Sequence, residues 1–143
     1  MTFVLDASVT LCWLLADGKT AANAYAHKVL EALVREDTQA LVPMIWGLEV
    51  SNVIAKAESM GRLNEAQSEA FQEMLAGIEI EVDSATFENS LSGTLQLARR
   101  HSLSAYDASY LEVALREGLM LATLDDGLRK AAKKAGVQAF EDR

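Results

Sequence analysis

Four carboxylates, Asp6, Glu49, Asp107 and Asp125, stand where the pattern of the chain can deliver them to one edge of a fold. Asp6 ends the apolar run Phe3-Val4-Leu5, and Asp125 follows the apolar run Leu119 to Thr123. Glu49 and Asp107 fall in the first turns of helices that open after Pro43 and at Ser104. Carboxylates sharing one pocket repel, and without a cation their pKa values are driven apart and upward. A hard divalent ion relieves this, and Mg²⁺ or Mn²⁺ prefers such oxygen donors. Zinc is a poorer match, because His27 and His101 are the only imidazoles and neither is spaced for a site with Cys12.

Taken singly, three of these acids have an equal claim to be helix caps. Asp6 can accept hydrogen bonds from the helix start beside it, and Asp125 lies between a strand and a helix. Asp107 lies three residues after Ser104, the spacing of a capping box. Glu49 separates the two explanations. It sits just inside its helix, between apolar Leu48 and Val50, and Val42-Pro43-Met44-Ile45-Trp46 brings it directly from a strand end. Its favourable interaction with the helix dipole is the only structural role left to it.

The elements that must position these acids alternate along the chain. Phe3 to Leu5 reads as a strand buried on both faces, with Ser8 available to cap the next helix. Val9 to Leu15 is a short apolar helix stopped by Asp17-Gly18, and Thr20 opens a longer one to about Glu36, with Tyr25, Val29, Leu33 and Val34 on one stripe. Gln39 to Val42 is a second strand. Gly47 to Met60 is a helix with Leu48, Val53, Ile54 and Ala57 inward and Gly61 as its stop. Asn64 and Gln67 form a capping box for a helix whose apolar face is Phe71, Met74 and Leu75. Ile78 to Val82 alternates as an edge strand does. Ser84 opens a helix with Phe87, Leu91, Leu95 and Ala98 at helical spacing. Another runs from Ser104 to Glu117, stopped by Gly118. Leu119 to Thr123 is a buried strand, a basic helix then ends at Gly136, and Val137 to Phe140 is a last short strand. Strands separated by helices imply a parallel sheet covered on both faces, with ligands at the carboxyl ends of the strands.

At 143 residues the chain, 1–143, has the length of one domain, with enough apolar residues for a core. One cysteine excludes an internal disulfide and suits a reducing cytoplasm; Cys12, within Leu11 to Leu15, reads as a small buried hydrophobe. The apolar run Ala7 to Ala16 is half of what a membrane span needs, and it follows Asp6 instead of a basic segment. The net charge of −8 argues against nonspecific attraction to nucleic acid. A local patch of Arg129, Lys130, Lys133 and Lys134 is the exception, and equally a solvated helix face.

Four stretches together resemble the PIN-domain ribonucleases, above all the VapC-type toxins of prokaryotic toxin–antitoxin pairs. They are Val4-Leu5-Asp6-Ala7-Ser8, Pro43 followed by Glu49-Val50-Ser51-Asn52, Leu103 to Leu111, and Ala122-Thr123-Leu124-Asp125 with Leu128. The resemblance covers nearly the whole chain. It implies a three-layer α/β/α fold on a five-stranded parallel sheet with the first strand central. It also implies hydrolysis of RNA phosphodiester bonds dependent on Mg²⁺ or Mn²⁺, leaving a 5′-phosphate and a 3′-hydroxyl. The family's acidic quartet falls on Asp6, Glu49, Asp107 and Asp125, as catalytic residues and metal ligands. Ser8, Asn52 and Thr123 match its supporting polar positions. Asp126 competes with Asp125 for the fourth place, and the Thr-x-Asp spacing favours Asp125.

The same resemblance implies an RNA substrate, a cognate antitoxin bound across the active-site groove, and a homodimer. The helix Val9 to Leu15 with Trp13, and the face of Tyr25 and Val29, are the docking surfaces it suggests; most of these residues read equally as core. Two alternatives remain. One is a PIN-like module that binds RNA or protein without cutting. The other is a small haloacid-dehalogenase-like phosphohydrolase, suggested by Asp6-Ala7-Ser8-Val9-Thr10, although Ser8 replaces that family's second Asp.

Overall fold

A computed structural model describes residues 1–15 and 20–141. The stop expected at Asp17-Gly18 lies outside the described residues. Strand β1 (Thr2–Leu5) holds Phe3, Val4 and Leu5 with no solvent exposure. Burying each such side chain contributes roughly 1.5–3 kcal/mol, so this strand is the natural axis of the fold. Strands β2 (Gln39–Val42), β3 (Ile80–Val82) and β4 (Leu121–Ala122) complete a sheet of order β3-β2-β1-β4, with every pairing parallel.

The period of two decides which core each strand residue enters. Phe3, Leu5, Ala40, Val42 and Ala122 join Val9, Ala26 and Val29 on one face. Val4, Leu41 and Leu121 join Tyr110, Leu111, Val113 and Leu128 on the other. The first face is covered by α1 (Ala7–Leu14) and α2 (Thr20–Leu33), the second by α7 (Ala105–Glu117) and α8 (Asp126–Ala135). Between them in the chain lie α3 (Trp46–Ser59) and α4 (Glu65–Ala76), which pack through Val50 and Phe71 against Ala7. This is the expected α/β/α layering.

Several expectations are corrected. The fifth strand is reduced to one parallel bridge, Leu121 to Ala139, held by Leu121 N–H to the Gln138 carbonyl and Phe140 N–H to the Leu121 carbonyl. Val137 and Phe140 are buried anchors, but only Ala139 between them meets β4, which itself spans two residues. The helix expected from Ser84 is broken into α5 (Thr86–Asn89), a π-helical segment Ser90–Thr94, and α6 (Leu95–His101). The wider π turn disrupts the row of side chains at helical spacing. Phe87 and Leu91 are 78% and 87% exposed. Leu48 and Val34 are also exposed, leaving Val50 and Ala57 as the fully buried residues of α3. Cys12 is half-buried, with its thiol donating to Asn23.

The capping box of Asn64 and Gln67 is present in both directions. Gly61, Gly118 and Gly136 take positive φ just beyond helix ends, as expected of C-terminal stops. Strand order, more than any single helix, sets where a ligand can sit. The chain steps outward from β1 to β2 to β3, then crosses back to lay β4 on the other side of β1. The carboxyl ends of β1 and β4 therefore flank the switch point where parallel sheets bind ligands.

Candidate active site

Asp6 emerges at that switch point, 4% exposed, with its backbone N–H bonded to the Ala122 carbonyl at 2.9 Å. Two hydroxyls donate to its Oδ2: Ser8 Oγ at 2.6 Å and Thr123 Oγ1 at 2.8 Å. Each hydroxyl in turn accepts a backbone N–H from the turn after β4. Leu124 N–H donates to Ser8 Oγ and Asp125 N–H to Thr123 Oγ1, both at 3.0 Å. With their acceptor side occupied in this way, both hydroxyls keep their single proton on Asp6. Ser8 is thus no helix cap, contrary to the expectation. Asp6 occupies the N-cap position of α1, and its side chain makes no capping bond.

The other acids approach on separate elements. Asp107 opens α7, where its backbone N–H donates to the Ser104 hydroxyl at 3.0 Å. Asp125 precedes α8 and accepts the Leu128 N–H at 2.8 Å, so the capping role is realised there. That leaves its Oδ1 with no hydrogen bond among the described residues. Glu49, half-buried on the first turn of α3, accepts the Tyr110 hydroxyl at 2.7 Å. Asn52 lies on the exposed side of α3 and hydrogen-bonds none of the four acids among the described residues. Its expected supporting role has no contact behind it here.

Electrostatics shows which acids share a neighbourhood. Burial raises the Asp6 carboxyl above its ordinary value; the hydroxyls of Ser8 and Thr123 pull it back, and the charges of Asp107 and Asp125 push it further up. Burial likewise raises Glu49, opposed by the Tyr110 hydroxyl and reinforced by Asp6 and Asp107. Asp107 is raised by burial and by Asp125. All four acids are connected through these repulsions, and Asp126 is not among their sources. Asp126 instead lines a cleft of about 840 Å³ with Ser8, Cys12, Tyr25 and Arg129.

None of the four acids is paired with Lys, Arg or His among the described residues. The donor set is entirely hard oxygen, which fits a divalent cation such as Mg²⁺ or Mn²⁺. Among the described residues no three metal-ligating side chains are gathered close enough to hold an ion.

Comparison with known proteins bears on the same architecture. The model of the PIN domain family matches residues 3–134. The chain belongs to the PIN domain family. Among solved structures, a PIN domain of this shape is similar to PAE2754 from Pyrobaculum aerophilum, at 26% identity and a TM-score of 0.64, over 92% of this chain and 87% of that one. VapBC2 from Rickettsia felis, solved bound to a DNA fragment from the pair's promoter, matches at 14% identity and a TM-score of 0.67 over the full length of both chains. A toxin–antitoxin complex from Klebsiella pneumoniae matches at 19% identity and a TM-score of 0.55, over 86% of each chain. No protein among the curated sequences matches. Membership of the PIN family displaces the haloacid-dehalogenase-like alternative.

The suggested docking surfaces are largely interior. Val9 and Val29 are fully buried, Trp13 donates to the Ala26 carbonyl at 2.8 Å, and Tyr25 donates to the Phe140 carbonyl at 3.2 Å. No described helix is long and apolar enough to cross a membrane.

Proposed function

We propose that this PIN domain is a VapC-type toxin, an endoribonuclease that hydrolyses RNA phosphodiester bonds with Mg²⁺ or Mn²⁺. One observation carries the reading. Four carboxylates from four separate segments repel one another at the sheet's switch point, with no basic side chain paired to them among the described residues. PIN domains are generally nucleases, and two structural neighbours are the VapBC2 pair and a toxin–antitoxin complex. These support a cognate antitoxin as the partner, and a homodimer completes the proposal.

Asp6, Asp107 and Asp125 would hold the cation, and Glu49 would bind a second ion or orient the attacking water. A bound divalent ion supplies a more acidic water and neutralises charge developing on the phosphate. Ser8 and Thr123 keep Asp6 as an acceptor by aiming both hydroxyl protons at it, the kind of outer support that fixes a ligand's orientation. Asp125 is fixed by its cap to α8, and Asp107 by its place in the first turn behind the Ser104 cap. With a cation in place the acidic surface no longer opposes RNA, because the ion itself attracts phosphate.

Purified protein should cut RNA with Mg²⁺ or Mn²⁺, stop in EDTA, and stop again as Asp6→Asn. Sequencing the 5′ ends produced on induction would report the target at the same time. Cleavage that persists in both EDTA and Asp6→Asn would refute the assignment. Mn²⁺ failing to bind, with RNA binding retained, would favour the non-catalytic module instead.

A further inference from the structure

The Tyr110 hydroxyl lies where two turns of the candidate site meet. Tyr110 is fully buried on α7, one turn after Asp107, among Val4, Leu111 and Leu121. Its hydroxyl donates to Glu49 Oε1 at 2.7 Å across 61 positions of chain. On the other side of the phenol oxygen lies the backbone of Ala7, the residue after Asp6. A buried phenol needs one partner, and any backbone carbonyl would serve. Here the acceptor is a carboxylate that two neighbouring acids, Asp6 and Asp107, repel. It is also the only side-chain hydrogen bond Glu49 makes among the described residues. Without it a half-buried Glu at the start of a helix turns toward water.

Resting on the nuclease reading, we infer that Tyr110 is a positioning residue whose hydroxyl fixes the Glu49 carboxylate at the cation-binding edge. Helix α7 then supplies one acid, Asp107, and the clamp for another. The Ala7 backbone lies beside the same hydroxyl, so the clamp on Glu49 sits next to the turn that carries Asp6. The phenol suits this task. Burial first, then the charges of Asp6 and Glu49, hold it above its ordinary range, so it remains a donor.

The test is Mn²⁺ binding by titration calorimetry on the full chain, without RNA, for wild type, Tyr110→Phe, Glu49→Ala and the double variant. Tyr110→Phe keeps the ring, and circular dichroism melts confirm that each variant is folded. Loss of an outer partner weakens metal binding by roughly 10–100-fold, and a loss of about 10-fold is expected for Tyr110→Phe. In the Glu49→Ala background Tyr110→Phe should add no further loss, since the hydroxyl acts only through that carboxylate. Wild-type affinity in Tyr110→Phe would overturn the inference. So would equal losses in both backgrounds, the mark of a merely structural role. Wild-type protein that takes up no Mn²⁺ would overturn the nuclease reading, and this inference with it. Should Tyr110→Phe fail to fold, proton NMR of the other proteins decides. A slowly exchanging hydroxyl resonance present in wild type and absent in Glu49→Ala is expected, and its persistence would count against the clamp.

Discussion

Asp6→Asn should stabilise the metal-free protein at neutral pH, although it removes the most buried acid of the site. The amide keeps the shape of the carboxyl, and its oxygen can still accept from Ser8 Oγ and Thr123 Oγ1. What disappears is a charge that burial disfavours and that Asp107 and Asp125 repel. A carboxyl raised in the folded state binds its proton more tightly there than in the unfolded chain. Ionising it at pH 7 therefore costs stability, about 1.4 kcal/mol for each unit of displacement. Removing an unfavourable charge from a functional site typically returns on the order of 1 kcal/mol. For a chain of 143 residues the unfolding entropy is about 0.3 kcal/mol per degree. The expected rise in Tm is therefore about 3–5 °C.

Thermal melts in EDTA at pH 7.5 and pH 5 measure this directly. The advantage of Asp6→Asn should shrink as the pH falls from 7.5 to 5, because a carboxyl raised in the folded state takes up its proton there before the unfolded chain does. Adding Mg²⁺ at pH 7.5 should reverse the order, because a ligand present at a hundred times its Kd stabilises by about 2.7 kcal/mol. The variant, lacking a principal ligand, should gain little. Asp6→Asn melting well below wild type in EDTA at pH 7.5 would refute the idea that the site is an uncompensated cluster of charge.

Three other outcomes are expected. Arg116→Met should destabilise by roughly 3 kcal/mol, or about 10 °C in a melt, because it strands the buried carboxylates of Asp83 and Glu112; a fall under 3 °C would contradict this. Ser8→Ala and Thr123→Val, each removing one of the two protons on Asp6, should lower RNA cleavage roughly 10–100-fold with the fold intact by circular dichroism. Asp125→Asn should abolish cleavage while Asp126→Asn leaves it near wild type, since only Asp125 acts electrostatically on Asp6 and Asp107; the opposite ranking in a gel assay would move the fourth place to Asp126.

Much of the fold is legible in patterning alone. Phe3-Val4-Leu5 has no polar residue to give a sheet face to water, and all three are buried. The acids following β1 and β4 stand out because a charge directly after an apolar run has few structural uses. Other features carry weaker signals. Val137 to Phe140 has strand-like apolar ends, but pairing depends on the length of the neighbour, and β4 offers two residues. Phe87 and Leu91 keep helical spacing in sequence yet are exposed, and nothing in that spacing marks the π turn at Ser90–Thr94. Tyr110 sits at a core position of α7, where an aromatic residue is expected for its ring. Its hydroxyl becomes informative only when α3 brings Glu49 beside it. The one available hint is its spacing, three residues after Asp107 on the same helical face.

The strongest support for function comes from comparing two groups of acids within the same chain. Asp83, Glu112 and Glu117 surround Arg116, which donates to Asp83 at 2.7 and 3.1 Å, to Glu112 at 2.8 and 3.1 Å, and to Glu117 at 3.0 Å. Burial by itself would raise Asp83, yet the Arg116 guanidinium and the Thr86 hydroxyl outweigh it and hold that carboxyl below its ordinary value. That group ties the end of β3 to the last turn of α7, and its charges are matched. The group at the switch point has four acids, three of them raised, and none has a basic partner among the described residues. A chain that neutralises one group of acids with Arg116 was under no structural compulsion to leave the other without a basic partner among its described residues. A buried acid kept purely for structure is paired or replaced, because an unpaired charge only subtracts from stability. A site that gathers acids without a basic partner among the described residues is what the proposed nuclease requires, since a divalent cation would supply the missing counter-charge.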